Sequence, residues 1–422
     1  MQDAEREKGI LNRLGAGLVT GAADDDPSGI ATYSQVGAAY GFSLLWSVLL
    51  CLPLMIGIQM VCARMGRVTG HGLAHNLKAC VPRPLVLGTV GLLFIANIIN
   101  LSADIGAIGA SAKLLIGGPA PLYGAIAAIL SVLLQVFVPF ARYSPILKLL
   151  TLSLFAYVGT VFAIHVPWAT VFRHTFWPQV KPSAKYAVSL VAVLGTTISP
   201  YLFFWQSSQE AEEVRLIRRR RPLKKAPRQA KAAFARIKND TIVGMLFSEV
   251  VAFFIILTAA VVLHSHGKTD IQSSAEAAAA LKPLAGEFAF VLFAFGIIGT
   301  GMLAIPVLAG SGAYALGETL KWHVGLDAKP LSAKLFYGTI AVATLAGVSL
   351  SFAPIDPIRM LFWSAVINGV VSVPLMFVIM WLSTRSGVMG KFPLPLWLRG
   401  LGWASALAMT CATVLMFATI GR

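Results

Sequence analysis

Long, almost unbroken apolar runs constrain this chain more than any other feature. Stretches such as Pro121–Phe140 and Leu335–Phe352 hold about 20 largely apolar residues each, enough for a helix to cross ~30 Å of hydrocarbon. Only 12% of the 422 residues are charged and 57% are hydrophobic, with a mean hydropathy of +0.76. A soluble domain carries about 25% charge, so a soluble protein with unusually buried helices is set aside. An outer-membrane barrel is set aside too, because its strands alternate apolar and polar residues.

The runs resolve into eleven expected spans, roughly 12–40, 43–66, 85–116, 121–140, 144–166, 186–210, 240–265, 286–320, 335–352, 357–382 and 397–420. The opening segment MQDAEREKGILNRLGAGL lacks the apolar core and small-residue cleavage site of a secretory signal, so the first span is expected to be retained. The net charge of +16 invites a nucleic-acid reading, and its distribution rejects one. Eleven of the 34 Lys and Arg lie between Arg215 and Lys238, in a loop between two spans. Basic loops mark the cytoplasmic side and meet anionic lipid. With the N-terminus inside, most of the Lys and Arg fall on inner segments. The expected location is therefore the cell (inner) membrane, multi-pass, with a cytoplasmic N-terminus, lipid contacts and a monomeric state. Cys51, Cys62, Cys80 and Cys411 show neither metal-like nor disulfide-like spacing.

Two spans are interrupted by proline in a polar setting, the first at AADDDPSGIATYSQ and the sixth at GTTISPYLFFWQ. They lie five spans apart, and five is odd, so two five-span units enter the membrane from opposite sides. Matched broken helices in inverted repeats point to a transporter site near the bilayer midplane. The expected organisation is a cytoplasmic tail (1–11), a first five-span repeat (12–166) and an extracellular loop (167–185). A second repeat follows (186–382, with the basic cytoplasmic loop at 214–238), then a linker and eleventh span (383–422).

Asp24, Asp25 and Asp26 lie inside the first span. A charge at the bilayer centre costs ~2.5–3.5 kcal/mol, so three together cost roughly 8–10 unless they face water, a cation or protein. Asp26 before Pro27 is also a good helix cap. Asp25 and Asp24 lie ~100° and ~200° around a helix from Asp26, so the three cannot all face one ion. A break at Asp26–Gly29 frees carbonyls near Ala22 and Ala23; the sixth-span break frees those near Gly195–Thr197, and Ser199 adds a hydroxyl. A carboxylate with carbonyl oxygens makes a hard cation site.

These residues reach a known family. The segment DPSGIATYSQVGAAYGFSLLW resembles the first-span signature of the Nramp divalent-metal transporters, whose core is Asp-Pro-Gly-Asn. GTTISPYLFFWQSS stands where their Met-Pro-His motif lies, and DTIVGMLFSEVVAFF and LAGSGAYALGETL are similar to their seventh and eighth spans. The resemblance implies an all-α polytopic membrane protein of the leucine-transporter-like fold, with two inverted five-helix repeats plus an eleventh helix and no cofactor. It carries the metal aspartate to Asp26 and the carbonyl ligands to Ala23 and Thr196.

The departures from the family shape the expected ion. The family's asparagine ligand falls on Gly29 and its methionine on Ser199. Thioether suits soft or borderline ions, whereas hydroxyl, carbonyl and water suit Mg²⁺ and Mn²⁺, and Mg²⁺ keeps much of its water. The pattern therefore resembles the Nramp-related magnesium transporters, and the expected substrate is Mg²⁺ or Mn²⁺, carried by alternating access. The family's sixth-span histidine falls on Tyr201 and a second histidine on Gln206. Its third-span carboxylate pair falls on Leu101 and Asp104, so Asp104 is the candidate proton site, with a packing role or an ion pair to Lys113 as the plainer reading. Asn368 is a further ion-path candidate, or a buried amide bonded to a neighbouring helix. Glu249 is an intramembrane carboxylate without an obvious partner, and Glu210, Glu212 and Glu213 are expected to pair with the Arg cluster.

Three other functions compete. A sodium- or proton-coupled symporter of an organic cation or amino acid fits the fold, although Asp26 repels a substrate carboxylate. An enzyme is disfavoured, since neither a His-Glu-x-x-His nor a Gly-x-Ser-x-Gly run occurs. A channel fits paired broken helices less well than alternating access does.

Overall fold

The computed structural model describes residues 16–139, 142–143, 145–146, 149, 152–180, 183–271, 274–353 and 357–420. The expected tail at 1–11, the first residues of the first span and parts of the fifth lie outside the described residues.

The first span is two helices, α1 (Ala16–Asp24) and α2 (Pro27–Tyr40). A tight turn at Gly41–Leu44, where Gly41 takes φ 59°, leads to α3 (Leu45–Thr69) and a short α4 (Leu73–Lys78). The third and fourth spans are α5 (Arg83–Ile116) and α6 (Ala120–Phe137), and α7 (Phe155–Ala163) lies in the fifth, after a turn at Leu152–Leu154. After α8 (Trp168–Phe176), the sixth span is again two helices, α9 (Ala184–Thr197) and α10 (Pro200–Leu216). Then come α11 (Ala230–Val262), α12 (Ser274–Leu320), α13 (Lys334–Ser351), α14 (Pro357–Ser383), a single turn α15 (Ser386–Met389) and α16 (Leu396–Ile420). Among the described residues nine stretches are long and apolar enough to cross a membrane. One of them, Pro27–Thr69, has 43 residues and would measure about 64 Å as one straight helix, so it supplies two spans divided at Gly41.

The packing follows the inverted repeat. The first span, α1 with α2, lies along α11 of the seventh, and α10 of the sixth lies along α3 of the second. Exchanging each helix for its counterpart five spans on turns one pairing into the other. The third and eighth spans, α5 and α12, form the most extensive contact and the heart of a second group with α6 and α13.

Glycines permit the closest approaches. A Cβ at Gly21 would lie 2.1 Å from the Gly244 carbonyl oxygen, and one at Gly195 would lie 2.1 Å from that of Ala365. Each glycine sits a few residues before a helix break, so both breaks are pressed against a neighbouring span. Small residues at such crossings let membrane helices pack by backbone contact.

Several boundaries differ from expectation. The sixth span continues to Leu216 and the seventh begins at Ala230, so the basic loop expected at 214–238 shrinks to 217–229. The first turns of α11, AKAAFARIK, are strong helix formers. Arg236 on them reaches Glu210 at 2.5 Å and Glu213 at 3.3 Å on α10, which ties the extension down. The remaining loop is docked: Leu223 is buried, and Leu223 and Lys224 donate their N–H groups to the Arg67 and Val68 carbonyls at the end of α3. The segment 167–185, expected as loop, contains α8. Val171 and Thr175 face inward while Trp168, Phe172 and Phe176 stay exposed, the pattern of a helix lying in the membrane interface. The eighth helix starts at Ser274, before the expected 286.

Candidate functional site

At the first break, α1 ends at Asp24 and α2 starts at Pro27. Asp26 is extended (φ −67°, ψ 171°), and its Oδ1 accepts the Gly29 N–H at 2.8 Å. This is the cap anticipated from Asp-Pro, and it fixes the carboxylate within the gap between the half-helices. The sixth-span break is built differently. Ser199 stands at the cap position of α10, yet its hydroxyl turns back onto α9 and is shared between the carbonyls of Gly195 (2.6 Å) and Thr196 (2.7 Å). A carbonyl oxygen has two lone pairs, so that of Thr196 keeps acceptor capacity.

The two breaks face each other. A Cβ on Gly29 would lie 3.0 Å from the Asp24 carbonyl oxygen, 3.2 Å from Thr196 Cγ2 and 3.3 Å from the Tyr33 ring. The side chain that family members carry there therefore has no ready space. Across the gap, the Tyr201 hydroxyl on α10 lies 3.1 Å from the Ala23 carbonyl oxygen and 3.3 Å from Asp26 Oδ2. Asp104 on α5 is buried within electrostatic reach of Asp26 and Tyr201. Both its carboxylate oxygens are without a hydrogen bond, although the Ser28 amide is near. Lys113, the alternative partner, is exposed nine residues further along α5, about 13 Å up the helix axis. Asp26 is 2% exposed and Asp104 0%, so the gap is closed to solvent on both sides.

Asp26, Ala23, Gly29, Thr196, Ser199, Tyr201 and Asp104 are thus gathered around the paired breaks, and three other candidates are not. Asp24 and Asp25 are fully buried on the far side of α1, where the Ser248 hydroxyl of α11 lies 2.6 Å from Asp24 Oδ2 and 3.3 Å from Asp25 Oδ1. Asn368 is buried in α14, and its backbone carbonyl accepts from Ser372. The same Ser372 hydroxyl lies 2.6 Å from the Ile198 carbonyl, an acceptor freed by the sixth-span break. Sequence reasoning missed Ser248 and Ser372. Their only signal was a lone hydroxyl in an apolar span, which is common in membrane helices. Gln206 bonds Thr20 and joins α10 to α1.

On the side where the basic loop lies, α10 is tied to the group built on α5 and α12. Glu210 and Glu213 pair with Arg236 and Arg220 as expected, whereas Glu212 does not join the Arg cluster. It is buried and accepts from the Tyr314 hydroxyl and from the Asp327 N–H at 3.0 Å. Glu318 on α12 caps α4, accepting from the N–H groups of Gly72 (3.0 Å) and His75 (3.2 Å). His71 and His75 stack with ring centroids 3.9 Å apart. Partial burial first, then the stacked His75 followed by Arg215, Lys224 and Lys225 for His71, and Lys78 and Lys321 for His75, lowers the pKa of both rings.

Paired half-helices of opposite sense, closed around a carboxylate and free carbonyls, define a multi-pass membrane protein of the inverted-repeat, broken-helix type. The sequence profile described as Natural resistance-associated macrophage protein-like matches residues 17–419, and the chain belongs to that family, Nramp. It is similar to the Divalent metal cation transporter MntH of Xanthomonas campestris pv. campestris, at 28% identity over 411 residues covering 95% of this chain and 88% of that protein. MntH of Pectobacterium carotovorum is 26% identical over 363 residues, covering 85% and 82%. Among solved structures, the Eremococcus coleocola manganese transporter in complex with an aromatic bis-isothiourea substituted compound superposes with a TM-score of 0.74. The identity there is 16%, and the match covers 97% of this chain and 86% of that one. The fold is the leucine-transporter-like one implied by the first-span motif.

Proposed function

We propose that this chain is a secondary transporter of a hard divalent cation, Mg²⁺ or Mn²⁺, bound between the broken first and sixth spans. The observation that carries the reading is the convergence of the Asp26 carboxylate and the Ala23 carbonyl on one point, now capped by the Tyr201 hydroxyl. Relatives named as divalent metal cation transporters support the substrate class. Asp26 offsets the ion's charge, and the carbonyls of Ala23 and Thr196, with the Ser199 oxygen, complete an all-oxygen set. Such a set suits Mg²⁺ and Mn²⁺ and offers no thioether to hold softer ions.

The same geometry supports a sequence of events. In the closed form the Tyr201 hydroxyl lies on the acceptors that the ion needs, so the ion enters by displacing it. Asp104, close to Asp26 and without a hydrogen bond, feels the arriving charge and is the proposed proton donor. Rocking of α1, α3, α10 and α11 against the group built on α5 and α12 then gives alternating access, with the basic loop on the cytoplasmic side of the inner membrane.

The test is Mn²⁺ uptake into proteoliposomes, with Mg²⁺ in excess as competitor and Asp26→Ala as control. Inhibition by Mg²⁺ and loss of uptake in the variant are expected. Uptake that survives Asp26→Ala, or that excess Mg²⁺ leaves untouched, overturns the reading.

A further inference from the structure

Where α14 ends and α16 begins, on the side of the basic loop, lies a basic recess with no part in the ion path proposed above. The linker between the two helices carries Arg385 and Lys391, and Arg399 stands in the first turn of α16. Lys224 of the basic loop reaches the same linker. Its Nζ donates to the Gly387 carbonyl at 2.5 Å, and a Cβ on Gly390 would lie 3.4 Å from its Cγ. From Pro357 to Arg422 the chain holds neither Asp nor Glu. Among the described residues neither Arg385 nor Arg399 makes an ion pair.

A cavity of ≈ 220 Å³ opens here, lined by Arg385, Arg399, Ser383, Thr384, Ser386 and Gly390. The Ser383 and Thr384 hydroxyls direct their protons to the carbonyls of Met380 (2.6 Å) and Trp381 (2.7 Å). What each hydroxyl has left is acceptor capacity. Beside this cavity runs an apolar groove of ≈ 470 Å³, lined by Val81, Leu85, Phe377, Val378, Trp381 and Trp403. Two pairs of residues join the spaces. The Arg385 guanidinium lies 4.3 Å from the Trp381 ring centroid, a cation–π contact that holds the charge at the edge of the groove. Arg399 and Trp403 are one turn apart on α16 and share a face. Trp403 in turn meets Phe377 edge-on, with ring centroids 5.7 Å apart.

We infer that this recess and groove together form a binding site for an anionic phospholipid with a hydroxylated headgroup, of the phosphatidylglycerol class. The phosphate lies between Arg385 and Arg399, whose planar forks match its oxygens. Headgroup hydroxyls donate to the Ser383 and Thr384 oxygens. An ethanolamine or choline headgroup would set a cation against the two arginines instead. The acyl chains follow the groove past Trp381 and Trp403, indoles of the kind that gather at the membrane–water boundary. Basic pockets between spans hold lipid headgroups in this way. The bound lipid clamps α14 to α16, and α14 is the helix whose Ala365 carbonyl backs Gly195 just before the sixth-span break. The site does not depend on which ion is carried, since its occupancy is measured by lipid binding alone.

The experiment is native mass spectrometry of the full chain in detergent, titrated with phosphatidylglycerol and, separately, with phosphatidylcholine of the same acyl chains. One phosphatidylglycerol retained in clear preference to phosphatidylcholine is expected. Arg385→Gln with Arg399→Gln should weaken its retention about tenfold or more, as two basic residues facing an anionic lipid imply. Arg173→Gln with Lys268→Gln, which removes the same charge at the opposite ends of the spans, should leave it unchanged. Leu85→Gln, on the exposed wall of the groove, should weaken long-chain phosphatidylglycerol more than a short-chain form. An unchanged melting temperature in lipid-free detergent shows that a variant is folded, and Arg399→Gln alone serves if the double variant is not. Equal retention of the two lipids overturns the inference, as does undiminished binding in the arginine variants. Inorganic phosphate that displaces the lipid at equal concentration assigns the recess to a soluble anion and overturns it equally.

Discussion

The hydroxyl of Tyr201 lies 3.3 Å from Asp26 Oδ2 while also facing the Ala23 carbonyl oxygen at 3.1 Å, so one phenol covers both acceptors at the first-span break. A phenol has one proton to donate, and a divalent ion offers the same acceptors far more charge. The hydrogen bond therefore stabilises the empty state and opposes ion entry. Tyr201→Phe is expected to tighten Mn²⁺ binding about tenfold, since a hydrogen bond to a charged group contributes ~1.5–3 kcal/mol. Calorimetric titration in detergent checks this; weaker binding in the variant makes the tyrosine a ligand instead.

Restoring the family's asparagine should not restore a ligand. Gly29→Asn puts a Cβ 3.2 Å from Thr196 Cγ2 and 3.0 Å from the Asp24 carbonyl oxygen. Overpacking of this kind typically costs ~1–3 kcal/mol. Lower thermal stability and slower Mn²⁺ uptake are expected, with partial recovery when Thr196→Ala is added. Full stability in the single variant would show that the two breaks can part to admit a side chain.

Asp104→Asn separates transport from coupling. The residue is buried near Asp26 without hydrogen bonds to its carboxylate. Mn²⁺ uptake should continue, at a reduced rate, while metal-driven acidification of the vesicle lumen disappears. Unchanged acidification removes Asp104 from the proton path.

Glu212 ties α10 to α12 through Tyr314 and to the following loop through the Asp327 N–H. Tyr314→Phe removes one of these ties and leaves the other. Amide hydrogen exchange in residues 200–216 should rise several-fold in the variant, with little change in α5, because local openings draw on the weakest contacts first. Equal protection in both proteins means that the tie does not hold α10 closed.

The spans were legible because membrane helices announce themselves by length and hydropathy alone. The paired breaks were legible because proline cannot donate its N–H and so ends a helix wherever it follows a polar cap. What the sequence hid were contacts made at right angles to that pattern. Ser248 and Ser372 are ordinary hydroxyls until folding sets one on Asp24 and the other on the Ile198 carbonyl. Tyr201 registered as a missing histidine, and its reach across the gap depends on the angle between α10 and α1. Asp24 and Asp25 were separated from Asp26 by helical phase, but which helix received them was not written in spacing. The start of α11 was masked by its charge: Lys231, Arg236 and Lys238, counted with the basic loop, lie on a helix whose Arg236 is held by two glutamates.

The crossing of Gly21 and Gly244 has a consequence for measurement. With a carbonyl oxygen where a methyl group would stand, and Gly17 donating its N–H to Asp240 at 2.7 Å one turn away, α1 has no slack against α11. Backbone contact this close resists sliding of one helix past the other. A pair of probes placed across this crossing is expected to report a near-constant separation between the ion-free and Mn²⁺-loaded protein. It would serve as an internal ruler against which the displacement of all other helices can be read.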